Sequence, residues 1–280
     1  MNLLKSIYIM LYMVAATTIA IQAVQQLAAT RGVLAWGGVL FVYAPVLLVL
    51  YRAMLFKDLP RTSARLPVLI GLGLAGVAGS GLSFIQGGSG LAFALAVGGF
   101  VAFLIYDYWY SSFGARHSAL LETGKLLPEF ELRNTSGEEV SSVDFADKPT
   151  VWIFYRGNWC PLCMAQIKEV AAQYRELDAL GVRVALVSPQ PHKFTKGLAK
   201  KFDVPFDFLT DEDNQAAHKL GIAQSFGVPM GMQVLGYDSE SVMPTVIITD
   251  AGGRILWADE TDNYRVRPDP DAFLEILRAE

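Results

Sequence analysis

Long runs of apolar residues fill most of the first 110 positions of this chain. Four runs extend roughly over residues 7–27, 33–56, 66–85 and 91–108, and short polar or glycine-rich breaks separate them. A helix needs about 20 mainly apolar residues to cross a bilayer. The pattern therefore predicts an α-helical membrane domain of four spans over residues 1–110, with membrane lipid as its surroundings.

Basic residues are unevenly distributed around these four runs. An even number of spans places both termini and the loop between the second and third spans on one face of the membrane. Only Arg31 falls on the opposite face, whereas seven basic residues fall on this one: Lys5, Arg52, Lys57, Arg61, Arg65, Arg116 and Lys125. Cytoplasmic loops carry such an excess of Lys and Arg. We therefore expect a multi-pass protein of a bacterial inner membrane, with its C-terminal half on the cytoplasmic side.

The second half of the chain has the pattern of an α/β domain. A polar linker over residues 111–125 leads to strand-like runs over 150–155, 182–187, 206–209, 245–249 and 255–258. One helix is predicted around residues 167–177, a second over 213–220 with Asp211 as cap, and a last one with Asp269 as cap and Pro270 as first residue. Residues 250–253 read as a turn between antiparallel strands. The order predicts an α/β domain over residues 126–280.

Charge and cysteine content exclude several classes of protein. The formal net charge of −4 conceals six basic and two acidic residues up to Tyr110, against 17 basic and 25 acidic residues after it. Neither half has the basic excess of a nucleic-acid binder. The chain has two cysteines and three histidines, with no paired spacing among the histidines, so it lacks the ligands of a structural zinc site. We predict no metal and no cofactor.

The two cysteines form the motif Cys160-Pro161-Leu162-Cys163, between an apolar strand and an amphipathic helix. A helix N-terminus favours negative charge, which lowers the pKa of a thiol placed there. We therefore expect Cys160 to be a solvent-accessible thiolate and the nucleophile. Cys163 lies one turn further on, where it can close a disulfide as the resolving thiol.

Several stretches resemble the thioredoxin superfamily, and most of all its peroxiredoxin-like branch of alkyl hydroperoxide reductases and thiol-specific antioxidants. The similar stretches are residues 127–132, 136–137, 143–145, 154–163, 187–190, 243–245 and 264–268. The resemblance implies a thioredoxin-like fold over residues 126–280 and a thiol oxidoreductase activity. Two positions depart from these families: Gly157 replaces the Thr or Ser that peroxiredoxins place three residues before the peroxidatic cysteine, and Phe154 replaces the buried acid of thioredoxins.

Supporting residues are also expected around the cysteines. From the residues themselves, Arg156 and Arg267 are candidates to hold a thiolate or a peroxide oxygen, with an ordinary solvated basic residue as the alternative for each. Trp159 would shield the site, as an aromatic residue beside the cysteine pair does in thioredoxins, with simple packing as the alternative. In Met243-Pro244-Thr245, the resemblance implies that Pro244 is a cis-proline facing the cysteine pair, with the backbone before it presented to a substrate. Pro161, inside the motif, and Thr245, after the proline, complete the candidate site.

We therefore predict a membrane-anchored thiol oxidoreductase that reduces a hydroperoxide or a protein disulfide. Its electron donor would be a thioredoxin-like protein or a low-molecular-weight thiol. A copper-binding module with the same fold, using two thiolates and a distant histidine, is one alternative. A redox sensor or scaffold whose disulfide regulates a partner is another. The role of residues 227–237, as a lid, a partner surface or an ordinary loop, stays open.

Overall fold

The structure is a computed structural model that describes residues 2–279. The chain folds into two compact units. The helical unit consists of residues 7–56 and 63–112. The α/β unit consists of the described residues up to Ser6, the segment Lys57–Thr62, and the described residues from Phe113 onward.

Four long helices account for most of the first 110 residues. They are α1 (Asn2–Ala28), α2 (Val33–Phe56), α3 (Pro67–Ile85) and α4 (Gly90–Ile105), and a π-helical turn over Tyr106–Tyr110 extends the last one. Among the described residues, four helices are long and apolar enough to cross a membrane. The four apolar helices that the sequence pattern predicts are therefore present.

Small residues allow α2 and α3 to pack closely. A methyl group added to Gly38 would lie 2.4 Å from the carbonyl oxygen of Gly76, and one added to Gly76 would lie 2.5 Å from the carbonyl oxygen of Gly38. The Ser80 hydroxyl donates a 2.6 Å hydrogen bond to the carbonyl of Ala35. Such contacts between small residues, with a side chain bonding across helices, are typical of helix pairs in membranes.

A seven-stranded sheet forms the centre of the α/β unit. Its strands are β1 (Glu131–Arg133), β2 (Glu139–Ser141), β3 (Thr150–Phe154), β4 (Arg183–Ser188), β5 (Asp207–Thr210), β8 (Thr245–Thr249) and β9 (Ile255–Asp259), while β6 (Ala223–Gln224) and β7 (Ser241–Val242) form a separate pair. The helices of this unit are α5 (Pro161–Ala172), α6 (Tyr174–Ala179), α7 (His192–Phe202), α8 (Gln215–Lys219) and α9 (Pro270–Arg278).

The order across the sheet is β2-β1-β5-β4-β3-β8-β9. Strands β3, β4 and β5 are parallel, and β8 runs antiparallel to both β3 and β9. All five residues of β3 are buried, as expected for a central strand of a sheet that is covered on both faces. This is the thioredoxin-like arrangement that the resemblance implies. It consists of a strand, a helix and a parallel strand, followed by an antiparallel hairpin and a terminal helix.

Most of the predicted elements are confirmed. The five predicted strands agree with β3, β4, β5, β8 and β9 to within one residue at each end, and Asp269 caps α9 by accepting a hydrogen bond from the backbone of Asp271 at 3.1 Å. The carboxylate of Asp211 caps α8 through the backbone amides of Ala216 and Ala217. That helix is shorter than predicted, because the residue before Gln215 has a left-handed backbone. The sequence analysis did not predict α7, β1 or β2.

Candidate active site

The two cysteines lie where β3 leads into α5. The strand ends at Phe154, a short turn follows, and Cys160 is the N-cap residue of α5 with Pro161 as the first helical residue. Proline fits this position because the first turn of a helix does not need its missing N–H group. Cys163 lies in that first turn, and the side chains of the two cysteines are hydrogen-bonded to each other. A disulfide between them therefore needs only a local movement.

Both thiols are buried. The exposed fraction is 1% for Cys160 and 0% for Cys163. The expectation that Cys160 meets solvent is therefore wrong. The turn that precedes it is itself buried at Tyr155, Arg156 and Gly157, so the end of the strand does not bring the thiol to the surface.

The two thiols differ in acidity, in the opposite sense to the sequence prediction. The hydrogen bond with Cys163, together with burial and the charge of Cys163, holds the pKa of Cys160 well above its usual value. Burial alone would raise the pKa of Cys163 as well. The hydrogen bond from Cys160 and nearby positive charges outweigh burial, and they lower the pKa of Cys163 to about 6. Cys163 is therefore the more acidic of the two thiols.

Two buried arginines supply the positive charge beside this pair. Arg156 is 7% exposed and Arg267 is 4% exposed, and the charges of both act on each cysteine. The Arg156 guanidinium donates to the carbonyl of Gly227 and lies 4.7 Å from the ring centroid of Trp159. The Nε and Nη2 atoms of Arg267 have no hydrogen-bond partner among the described residues. The structure therefore brings together Arg156, Trp159 and Arg267 with the cysteines, as the sequence analysis predicts.

A hydrogen-bonded side chain holds the turn before Cys160. The backbone N–H of Asn158 donates to Oε1 of Gln190 at 2.8 Å, and Nε2 of the same glutamine donates to the Tyr155 hydroxyl at 3.0 Å. The Tyr237 hydroxyl donates to Oδ1 of Asn158. The sequence analysis did not assign these residues to the site. The stretch 187–190, which it used only for the resemblance, was the signal that could have identified Gln190.

Gly157 occupies a backbone conformation that other residues rarely adopt. Its φ is +138°, and an added methyl group would lie 2.7 Å from the indole Nε1 of Trp159. This explains why glycine occurs where peroxiredoxins place Thr or Ser before the cysteine. A hydroxyl-bearing side chain at this position would clash with the tryptophan that lies over Arg156.

The prediction of a cis-proline at Pro244 is wrong. Among residues 2–279 no peptide bond is cis. The carbonyl of Pro244 accepts a hydrogen bond from Arg116 at 3.1 Å, and the Thr245 hydroxyl accepts one from the same guanidinium at 2.9 Å. Thr245 then pairs with Phe154 at the end of β3. Pro244 thus lies directly before β8, with a trans peptide bond.

The histidines are engaged away from the thiols. The Nδ1 atom of His192 is hydrogen-bonded to the Thr210 hydroxyl at 3.1 Å, and His218 pairs with Glu240 at 2.7 Å. Within residues 2–279, no group of three or more His, Cys, Asp or Glu side chains could hold a metal ion. No observation therefore favours the copper-binding alternative.

Comparison with known proteins gives a family match within the α/β half and several similar proteins. The AhpC/TSA family model matches residues 123–258. Chloroplastic peroxiredoxin Q of Gentiana triflora is 30% identical over 138 residues, covering 48% of this chain and 64% of that protein. A crystal structure of a peroxidoxin from Mycobacterium tuberculosis is similar with a TM-score of 0.48 and 21% identity, covering 57% of this chain and 97% of the other. The chain thus spans slightly less than two thirds of the Gentiana protein.

A second plant relative extends this comparison. Chloroplastic peroxiredoxin Q of Sedum lineare is 30% identical over 129 residues, which cover 46% of this chain and 69% of that protein. The residues that match the family model include the central strand β3, both cysteines and the turn that joins the strand to them. With this similarity, and with a thiol pair at the start of the helix that follows the central strand, the chain belongs to the AhpC/TSA family.

Proposed function

We propose that this protein is a membrane-anchored thiol peroxidase with Cys160 and Cys163 as its redox-active dithiol. One observation carries the proposal: two buried, neighbouring thiols lie next to two buried arginines, whose charges favour the ionised form of a thiol. The thiolate is the reactive form of cysteine. A guanidinium has five N–H donors and can bind an oxygen atom while its charge stabilises the sulfur. The site thus combines a nucleophile with donors for a peroxide.

The proposed cycle starts at Cys163. Its thiolate attacks the terminal oxygen of a hydroperoxide, so an S–O bond forms and the O–O bond breaks. The leaving alkoxide takes the thiol proton of Cys160 and departs as an alcohol. The Cys160 thiolate then attacks the sulfenic acid sulfur, the S–S bond forms, and the departing hydroxide takes a proton from solvent to become water. The dithiol loses two electrons and the peroxide gains them.

A thiol donor closes the cycle by disulfide exchange with the oxidised pair. Of the two donors that the resemblance implies, a thioredoxin-like protein and a low-molecular-weight thiol, we propose the low-molecular-weight thiol, because both cysteines are buried. The assignment of roles differs from the sequence prediction, in which Cys160 attacks. It follows the directions of the two pKa shifts, upward for Cys160 and downward for Cys163.

Burial of the pair favours a hydroperoxide over a protein disulfide as substrate. Exchange with a protein disulfide requires a sulfur on a folded chain to approach the attacking sulfur directly. Cys163 has no exposed surface and Cys160 has almost none. A small hydroperoxide needs a much smaller opening. The relatives of this chain are named peroxiredoxins, which is consistent with this preference.

The remaining candidate residues have supporting roles in this proposal. Trp159 covers Arg156, and Pro161 fixes the start of α5. Pro244 and Thr245 bond to Arg116 at the entry to β8, beside the strand that leads to the cysteines. These residues would keep the reacting groups in place and would not exchange electrons.

We also propose that residues 1–110 anchor the protein as a multi-pass domain in a bacterial inner membrane. Four helices of suitable length and apolarity support this assignment. Residues 111–125 would be the linker, and residues 126–280 the redox domain on the cytoplasmic side. The distribution of basic residues supports this orientation.

A turnover assay of the full chain in detergent tests the proposed function. Hydrogen peroxide, an organic hydroperoxide and a protein disulfide would be supplied in turn, with a small dithiol as reductant. We expect consumption of both peroxides, slower reduction of the disulfide, and loss of peroxide turnover in Cys163→Ser. Faster reduction of the disulfide would contradict the proposal. Oxidation of the pair by peroxide without turnover would instead indicate the redox sensor.

A further inference from the structure

The segment between α2 and α3 contributes to the α/β unit. Lys57–Thr62, called here the inter-helix segment, belongs to the same compact unit as the cysteines. Arg61 forms a bidentate ion pair with Glu169 of α5, and it also pairs with Asp269 at 3.2 Å. The segment is thus bound both to the cysteine-bearing helix and to the cap of α9.

The inter-helix segment also contacts the residues around Arg267. The backbone N–H of Thr62 donates to the carbonyl of Arg265 at 2.9 Å, and Arg61 donates to the carbonyl of Pro268 at 3.3 Å. These two carbonyls flank Arg267, which is one of the two cations that act on the thiols. The segment therefore supports both the helix that carries Cys163 and the arginine that stabilises its thiolate.

Lys57 reaches the active-site turn itself. Its ammonium group donates to the carbonyl of Asn158 at 3.4 Å, and its own carbonyl accepts a hydrogen bond from Lys168 of α5 at 3.3 Å. The φ of Lys57 is +50°, in the left-handed region that usually requires glycine or asparagine at the end of a helix. Glycine would therefore suit the backbone at this position, although it would lack the side chain that contacts Asn158.

Charge connects Lys57 to the thiols as well. Burial lowers the pKa of Lys57, the positive charges of Lys201 and Lys168 lower it further, and the charge of Cys160 opposes them. An electrostatic interaction acts equally on both partners. A charged Lys57 therefore favours negative charge at Cys160, the partner of Cys163 in the hydrogen-bonded pair.

We infer that Lys57 is a positioning residue of the redox site, which fixes the Asn158 carbonyl and adds positive charge beside the cysteine pair. It lies outside the stretch that matches the AhpC/TSA family, which starts at residue 123. The redox site thus includes a residue of the inter-helix segment, which lies between two apolar helices in the sequence. The inference rests on the proposed thiol chemistry, because it concerns the reactivity of the same pair.

The test compares Lys57→Gly and Lys57→Arg in the full-length protein. Glycine removes the side chain but suits the left-handed backbone, so the melting temperature should stay the same or rise. We expect the rate of iodoacetamide alkylation of the pair at pH 6 to fall about threefold in Lys57→Gly, and Lys57→Arg to restore it. Lys200→Met, which removes an exposed lysine of α7, is the matched control and should leave the rate unchanged.

An unchanged pH profile of alkylation in Lys57→Gly would overturn the inference. A fall in alkylation that Lys57→Arg does not restore, accompanied by a lower melting temperature, would show that Lys57 has only a structural role, and it would overturn the inference too. Alkylation is measured without peroxide. If the wild-type protein lacks peroxide turnover, the proposed function fails, while the pH profiles still decide the role of Lys57.

Discussion

At the scale of single residues, two thiols only three positions apart have opposite shifts in pKa. Their location together at the start of a helix could be predicted from the motif and the strand before it. Which thiol is the more acidic could not, because it depends on the hydrogen bond between the two buried side chains, which raises the pKa of Cys160 and lowers that of Cys163. The error at Pro244 has another origin, because the cis bond was implied by a family resemblance and by no pattern in the residues around this proline.

The acidity of Cys163 predicts a pH dependence. Since its pKa is lowered to about 6, the thiolate should predominate above that pH and be lost as the pH falls through it. Replacing Arg267 with Met removes a stabilising charge, so the midpoint of Cys163 alkylation should move up by about one pH unit. Peptide mass spectrometry after iodoacetamide labelling measures this directly.

Arg175→Met is the control for that experiment, because Arg175 is exposed on α6. Its alkylation profile should match that of the wild-type protein. The account of the pair would be contradicted if Cys160 were labelled first at pH 7. A midpoint for Cys163 close to that of an ordinary free thiol, about 8.5, would contradict it as well.

At the scale of elements, the turn between β3 and α5 depends on glycine. In Gly157→Ala the new methyl group meets Trp159 in a backbone conformation that alanine rarely adopts. We expect a loss of about 1–3 kcal/mol in the free energy of unfolding, seen as a lower melting temperature in circular dichroism. Gly181→Ala is the matched control, since Gly181 also has a positive φ but nothing lies within 4 Å of an added methyl group.

Gly181→Ala should lower the free energy of unfolding by only about 1 kcal/mol, because alanine must adopt a left-handed backbone there. Equal melting temperatures for the two variants would show that the contact with Trp159 is unimportant. The rate of alkylation of the pair should also change in Gly157→Ala but not in Gly181→Ala. Only the turn that contains Gly157 positions the residues before Cys160. This second measurement separates a local effect on the site from a general loss of stability.

Element boundaries show what local patterns can predict. The longer strands and the capped helices carry periodic apolar residues or distinct capping residues, and these were predicted correctly. Strands β1 and β2 have three residues each, which is too short for an alternating pattern to stand out. Helix α7 has lysines along much of its length and buries only Thr195 and Leu198, so its apolar face is narrow.

At the scale of the whole molecule, the distribution of basic residues predicts the membrane topology. Reporter fusions at the C-terminus and in the loop of residues 86–90 should give opposite results, with the C-terminal fusion reporting the cytoplasm. An external C-terminus would contradict the proposed orientation and place the thiols in an oxidising compartment. Fusions to alkaline phosphatase, which is active outside the inner membrane, and to green fluorescent protein, which is fluorescent in the cytoplasm, provide the measurement.

The linear sequence could not predict which segments of the chain belong to the α/β unit. Hydropathy separates the two halves near residue 110, but Lys57–Thr62 belongs to the α/β unit although it lies between two apolar helices. Only tertiary contacts, such as the ion pair between Arg61 and Glu169, reveal this. A fragment that starts after the helices would lack Lys57, so measurements on such a fragment would not report on the complete site.

The central claim is that Cys163 attacks a peroxide and Cys160 resolves the product. A single-turnover experiment tests it most directly: reduced full-length variants receive one equivalent of hydrogen peroxide with a sulfenic acid trap, and intact mass and peptide mapping locate the adduct. We predict one trapped sulfenic acid on Cys163 in Cys160→Ser and almost none in Cys163→Ser. An adduct that forms on Cys160 in Cys163→Ser, with little on Cys163 in the other variant, would contradict the account.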